Sequence, residues 1–184
     1  MKKYILIFIF FSTLTYGQKK VPIDATEYMH KKDSVMYTKI NTEYLKFTAA
    51  TLDGDTITEK NLIGKVTFIN FWFEGCAYCM AEMDELNALY TKFKYIPSFQ
   101  FISFTRDPAN IARETVEKQH ILFPVCPISS DCYRLNYSYG FPFSIIIDKT
   151  GKLRYFKAGM LPEKNIMTEE FQKYENTILD LLSN

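Results

Sequence analysis

Two cysteines separated by two residues, in Cys76-Ala77-Tyr78-Cys79, are the groups of this chain best placed for covalent chemistry. Disulfide exchange starts when a thiolate attacks a sulfur of another disulfide, and it proceeds through a mixed disulfide. A helix N-terminus favours the thiolate, because its unpaired N–H groups and dipole stabilise negative charge. With a helix starting at the first cysteine, the second lies about one turn further on and can attack the mixed disulfide. Cys76 then reads as the nucleophile and Cys79 as the resolving thiol. Two other uses of the spacing stand beside this one: half of a zinc site, which needs two more ligands, and an inert structural disulfide. The other cysteines, Cys126 and Cys132, have five residues between them, and the histidines are His30 and His120. His30 falls in a polar stretch and His120 near a helix end, so neither reads as catalytic. No metal and no cofactor is expected.

The redox use requires a strand that delivers the cysteines and a helix that receives them. Val66-Thr67-Phe68-Ile69-Asn70-Phe71-Trp72 is a near-continuous β-branched and aromatic run, the pattern of a central strand buried on both faces. Beyond the cysteines, Met80, Met83, Leu86, Leu89, Tyr90 and Phe93 recur at helical spacing until Pro97-Ser98. Phe99 to Phe104 reads as a second buried strand, and Asp107 as the N-cap of a helix with Pro108 at its first position, running to about His120. Pro124 to Cys126 suits a short edge element, and Ser130-Asp131 a short helix ending near Gly140. Phe143 to Asp148, the turn Lys149-Thr150-Gly151 and Lys152 to Ala158 form an antiparallel pair, followed by a helix from about Glu163 to Leu182. Ahead of all this, Tyr44 to Ile57 reads as a hairpin turning at Asp53-Gly54. The fold class is α/β: a central mixed sheet flanked by helices, with an N-terminal β-hairpin extension.

Lys2 and Lys3 precede the apolar run Tyr4 to Phe11, and Thr15-Tyr16-Gly17 ends it in small-x-small form. This is the layout of a cleaved secretory signal over residues 1–17, placing the mature chain in the periplasm. The run is short for a spanning helix; the alternative is an uncleaved signal acting as a membrane anchor. Residues 18–43 are polar, with Met29, Val35 and Met36 too scattered to form a face, and read as a partly disordered extension. The domain proper is then 44–184. Basic and acidic residues nearly cancel, 22 against 21, so no field gathers nucleic acid or an anionic membrane surface. Export also permits disulfides to persist.

The block Asn70-Phe71-Trp72-Phe73-Glu74-Gly75-Cys76-Ala77-Tyr78-Cys79-Met80-Ala81-Glu82-Met83 resembles the active-site block of the TlpA and ResA group of periplasmic thioredoxin-like proteins, which are related to AhpC/TSA proteins. The resemblance runs from about Tyr44 to the C-terminus and implies a thioredoxin-like fold and thiol-disulfide oxidoreductase activity. It implies a cis-proline loop opposite the cysteines, matched by Phe141-Pro142, with the Phe141 backbone pairing with a substrate strand. It makes Glu82 a proton acceptor for Cys79, in the absence of the buried aspartate that thioredoxins proper carry at the position of Asn70. Trp72, Tyr78, Phe141 and Pro142 are the expected substrate-facing residues. Reduction is the group's usual task, so the expected partners are protein thiols and disulfides of the exported compartment and a membrane electron donor. Ala77-Tyr78 lacks the proline common there, which leaves the direction of electron flow open.

Cys126 and Cys132 lie just before the proline loop, where that group needs no cysteines. A local Cys126–Cys132 disulfide bracing the loop is expected, with an electron relay to Cys76–Cys79 as the alternative. Two other functional classes remain: a peroxiredoxin-like peroxidase, disfavoured because Phe73 stands where such enzymes carry a threonine, and a thioredoxin-fold module that binds without turnover.

Overall fold

The computed structural model describes residues 25–159 and 163–184. The expected signal segment, 1–17, lies outside the described residues, as does the beginning of the polar extension.

At the centre is β3 (Val66–Trp72), all seven of whose residues are buried. It pairs in parallel with β4 (Phe99–Thr105) and antiparallel with β6 (Phe143–Ile147). β5 (Val125–Pro127) and β7 (Leu153–Ala158) complete a five-stranded mixed sheet of order β5-β4-β3-β6-β7. The hairpin is present as β1 (Thr48–Ala50) and β2 (Thr56–Thr58), with Gly54 supplying the positive φ of 98° that its turn requires.

Strand alternation divides the core. Phe68 and Trp72 of β3 enter one apolar layer with Met83, Leu86, Leu89 and Phe93 of α3 (Met83–Phe93) and with Phe171, Tyr174 and Ile178 of α6 (Lys164–Ser183). Ile69 and Phe71 enter the opposite layer with Phe47, Leu62, Cys126, Cys132 and Leu135. Helices therefore cover both faces, as the sequence predicts.

Three elements differ from the reading of the sequence. The helix after the cysteines is broken: α2 (Ala77–Ala81) stops at Glu82, whose φ of −97° and ψ of 0° separate it from α3. The helix after β4, α4, begins at Ala109 and runs to Lys118 without a side-chain cap, because the Asp107 carboxylate instead accepts the Glu74 N–H at 2.6 Å. The third difference lies in the extension, which contains the helix α1 (Ala25–Tyr37).

The apolar residues of α1 make no stripe, and tertiary contacts anchor it instead. Met36 is 1% exposed within the second apolar layer, and the Tyr37 ring meets Phe156 at 5.2 Å. Lys32 Nζ donates to the carbonyls of Ser138 and Tyr139, each at 3.0 Å, and lies over the Tyr139 ring, whose hydroxyl donates to Asp33. The segment so gripped contains Tyr137 and Ser138 in the left-handed region, at φ 55° and 57°. Each such non-glycine residue costs on the order of 1–2 kcal/mol, so contacts that hold these carbonyls in place favour a shape the backbone resists. Lys32→Met, which keeps the apolar stem, is expected to lower stability by ~1 kcal/mol and to speed amide exchange over 137–141, read by urea unfolding and hydrogen-exchange mass spectrometry.

Candidate active site

The last ladder pairs of β3 set the site's height. Trp72 lies opposite Thr105, and Phe71 opposite Phe143, so the chain leaves β3 at the edge where β6 is entered from Pro142. Phe73, Glu74 and Gly75 cross to Cys76, which is the N-cap of α2; its Sγ accepts the Cys79 N–H at 3.2 Å. Cys76 and Cys79 are joined as a disulfide with Cα atoms 5.2 Å apart. Cys76 is 7% exposed and Cys79 0%, so Cys76 alone offers an edge of sulfur to an incoming group. The same N–H that meets Cys76 Sγ in the disulfide stabilises its thiolate after reduction.

Phe141-Pro142 is the cis peptide bond of the described chain, and the Phe141 ring packs edge-on against Phe73 at 5.3 Å. The proline loop and the cysteine loop are thus in direct contact. Tyr78, between the two cysteines, is 52% exposed. Trp72 differs from expectation: it is fully buried, packed in the layer that holds Cys76, Cys79 and Met83, with its indole N–H donated to Ser103 Oγ. An indole buried on a sheet face needs such a partner, and its ring supports the cysteines from below. Pro142 is buried too, so Phe141 and Tyr78 carry the accessible surface.

Glu82 sits at the break between α2 and α3, 2% exposed, its Oε1 accepting the Asn70 Nδ2–H at 3.0 Å. Asn70 Nδ2 also donates to Ser144 Oγ at 3.1 Å. The residue at the place of the thioredoxin aspartate is therefore a hydrogen-bond donor to Glu82. Burial pushes the Glu82 carboxyl from 4.5 up to about 8, and the Asn70 hydrogen bond only partly offsets this. Glu82 shares a small void with Pro142, Phe143, Ser144 and Tyr174, which brings it next to the proline loop.

Cys126 and Cys132 are free thiols rather than the expected disulfide. Both are buried in the second apolar layer, where a thiol behaves as a small hydrophobe, and burial pushes each up to about 12. They are poor nucleophiles there. A roomy cleft of about 560 Å³ lies away from the cysteines, between α1, β7 and α6; its carboxylate Glu170 already accepts from Tyr155 and Lys173. Sequence reasoning missed Phe73, Arg106 and Tyr133, which pack around the proline loop. Strand register places Phe73 and Arg106 there, and the helix at 132–135 brings Tyr133 to them.

Residues 40–156 match the AhpC/TSA family. The chain belongs to the AhpC/TSA family. Among curated members, a thiol-disulfide oxidoreductase ResA of Bacillus cereus is 37% identical over 117 residues, 62% of this chain and 67% of ResA. The fold is that of thioredoxin-like proteins. A Chlorobium tepidum structure assigned as the thiol:disulfide interchange protein DsbE superposes with a TM-score of 0.68 at 22% identity, covering 78% of this chain and 97% of that one. The thioredoxin domain of a Bacteroides vulgatus thiol-disulfide oxidoreductase gives 0.60 at 21% identity, covering 73% and 96%. In this AhpC/TSA member the position of the peroxidase threonine is filled by the Phe73 ring, which carries no hydroxyl to orient a peroxide.

The Glu82 environment has a consequence for stability. Between about 4.5, where the unfolded carboxyl releases its proton, and about 8, where the folded one does, the folded state binds more protons. Stability therefore falls as pH rises through that window, by up to ~1.4 kcal/mol per pH unit. Urea unfolding of the oxidised protein from pH 5 to 8.5 is expected to show this decline, and Glu82→Gln to flatten it, with the variant the more stable of the two at pH 8.

Proposed function

We propose that this protein is a thiol-disulfide oxidoreductase that reduces disulfides of exported proteins through Cys76 and Cys79. The observation that carries the reading is the Cys76–Cys79 disulfide at a helix N-terminus, in contact through Phe73 with the cis-proline loop. The similarity to ResA supports the reaction class, and the basic-apolar-small pattern of residues 1–17 supports export. A membrane protein is the natural electron donor for a pair working outside the cytoplasm.

In the reduced protein the Cys76 thiolate attacks one sulfur of a substrate disulfide. That S–S bond breaks, the second substrate sulfur leaves as a thiolate, and a Cys76–substrate mixed disulfide forms. The buried Cys79 thiol then needs to lose its proton. Glu82, three residues on, is the acceptor in its ionised form, which burial makes the minor form below about pH 8, so resolution quickens as pH rises toward that value. The Cys79 thiolate attacks Cys76 Sγ, the bond from Cys76 to the attacked substrate sulfur breaks, the Cys76–Cys79 disulfide is restored and that substrate sulfur leaves as a thiolate. Two electrons have then passed from the protein to the substrate. Phe141 offers backbone to an extended substrate segment, while Pro142, lacking an N–H, leaves the reacting sulfurs without a competing donor.

Equilibration with glutathione or dithiothreitol buffers measures the direction: a potential near ~−270 mV fits a reductant, and one near ~−120 mV an oxidant. Cys76→Ser is expected to abolish exchange, and Cys79→Ser to accumulate mixed disulfides with substrate that non-reducing electrophoresis resolves. A Cys126→Ala/Cys132→Ala protein is expected to retain the potential within ~10 mV, since neither thiol takes part in the couple. Absence of reversible titration by Cys76–Cys79 would overturn the reading.

A further inference from the structure

The register that ends the sheet also pairs the residues just beyond it. Because Trp72 faces Thr105, the next residues, Phe73 and Arg106, leave the parallel strands side by side at the cysteine edge. The Arg106 guanidinium lies 3.8 Å from the Phe73 ring centroid and 5.7 Å from that of Phe141, and Nη1 donates to the Tyr133 hydroxyl at 2.7 Å. Tyr133, 44% exposed, closes the group by meeting Phe141 edge-on at 5.5 Å. Three rings, from the cysteine loop, α5 (Cys132–Leu135) and the proline loop, thus hold one cation among them.

Stacking engages the flat face of a guanidinium, whereas its N–H donors point outward from the rim in a fork that matches a carboxylate. One rim donor is used by Tyr133. Among the described residues, no carboxylate forms an ion pair with Arg106. The adjacent acid, Asp107, turns its Oδ2 to the Glu74 N–H and the Thr105 hydroxyl rather than to Arg106. An apolar side chain would suffice to fill the space between the rings. A cation that has no ion-pair partner among the described residues, set where cysteine loop and proline loop meet, has its complement in what docks there.

We propose that Arg106 is a specificity residue that accepts an aspartate or glutamate side chain adjacent to the reacting cysteine of the substrate polypeptide. This rests on the reading of Cys76–Cys79 as the exchange site. In the reaction it serves, Cys76 forms its bond to the substrate sulfur, the substrate S–S bond breaks, and two electrons pass to the substrate as described above; Arg106 only holds the neighbouring carboxylate.

The test uses reduced protein with disulfide-bonded hairpin peptides that differ at one residue beside a cysteine, which is Glu, Gln or Lys. Oxidation is followed by the fluorescence of the single tryptophan, Trp72, against the neutral 2-hydroxyethyl disulfide as reference. At low ionic strength the Glu peptide is expected to react about tenfold faster than the Lys peptide, and this ratio to shrink at ~0.5 M salt. Arg106→Gln is expected to bring the ratio near one, and Arg106→Lys to keep part of it. A ratio near one in the unaltered protein, or the same ratio in Arg106→Gln, overturns the proposal and leaves Arg106 a brace for the proline loop. Because the ratio is internal to each variant, a general loss of activity does not imitate the result. Failure of even 2-hydroxyethyl disulfide to oxidise the protein overturns the exchange reading, and this proposal with it.

Discussion

A strand buried on both faces cannot slip by one residue without turning every side chain into the wrong layer. β3 is such a strand, and its fixed register determines where everything else at the sheet's end must be. Opposite Trp72 the partner is Thr105, so Phe73 and Arg106 emerge together. Opposite Phe71 it is Phe143, so Pro142 arrives on the other flank. The cysteine turn, the proline loop and the Arg106 cation share one edge because three strands agree on a single register.

The same alternation decides which way the polar residue of β3 faces. Asn70 falls in phase with Phe68 and Trp72, on the side of α3 and α6, and there it meets Glu82. The helix breaks at Glu82, and the carboxyl is desolvated enough that its proton is held to about pH 8. The interruption between α2 and α3, the donor from Asn70 and the raised carboxyl meet at this one residue. They put a group able to exchange protons near neutral pH one turn after the buried Cys79.

What could be read from the sequence follows the range of the interactions involved. β3, the long helices and the β6–β7 pair have apolar patterns that local physics fixes, and the cysteine spacing sits visibly between a strand and a helix. The proline loop and Glu82 were legible only through the resemblance of the block around Cys76. The helix break at Glu82 was not, because Glu82 meets its partner Asn70 twelve residues away on another element. Trp72 was misplaced on the surface since aromatic character alone does not say which end of a strand is covered. Asp107 resembled a helix cap until the Glu74 N–H, thirty-three residues distant, claimed its carboxylate. Cys126 and Cys132 were read as a staple from their short separation. Both point instead into the apolar layer beneath the sheet, where a thiol serves as a small hydrophobe.

α1 shows how a segment with no stripe of its own becomes structural. Its helix lies before the residues that match the family, yet Lys32 and Asp33 grip the chain at Ser138 and Tyr139, directly upstream of the proline loop. The backbone there takes two left-handed residues in succession without glycine, a shape that needs outside support. Support from α1 fixes the end of the loop that Phe141 occupies, and Phe141 in turn packs on Phe73 and Arg106. The surface a substrate meets is therefore set from two directions: by β3 through its register, and by α1 through a handful of polar contacts. The first follows for any chain that buries this strand, whereas the second rests on Lys32 and Asp33, which lie outside the residues that match the family, so the shape of the proline loop can be altered without any change in the cysteines themselves.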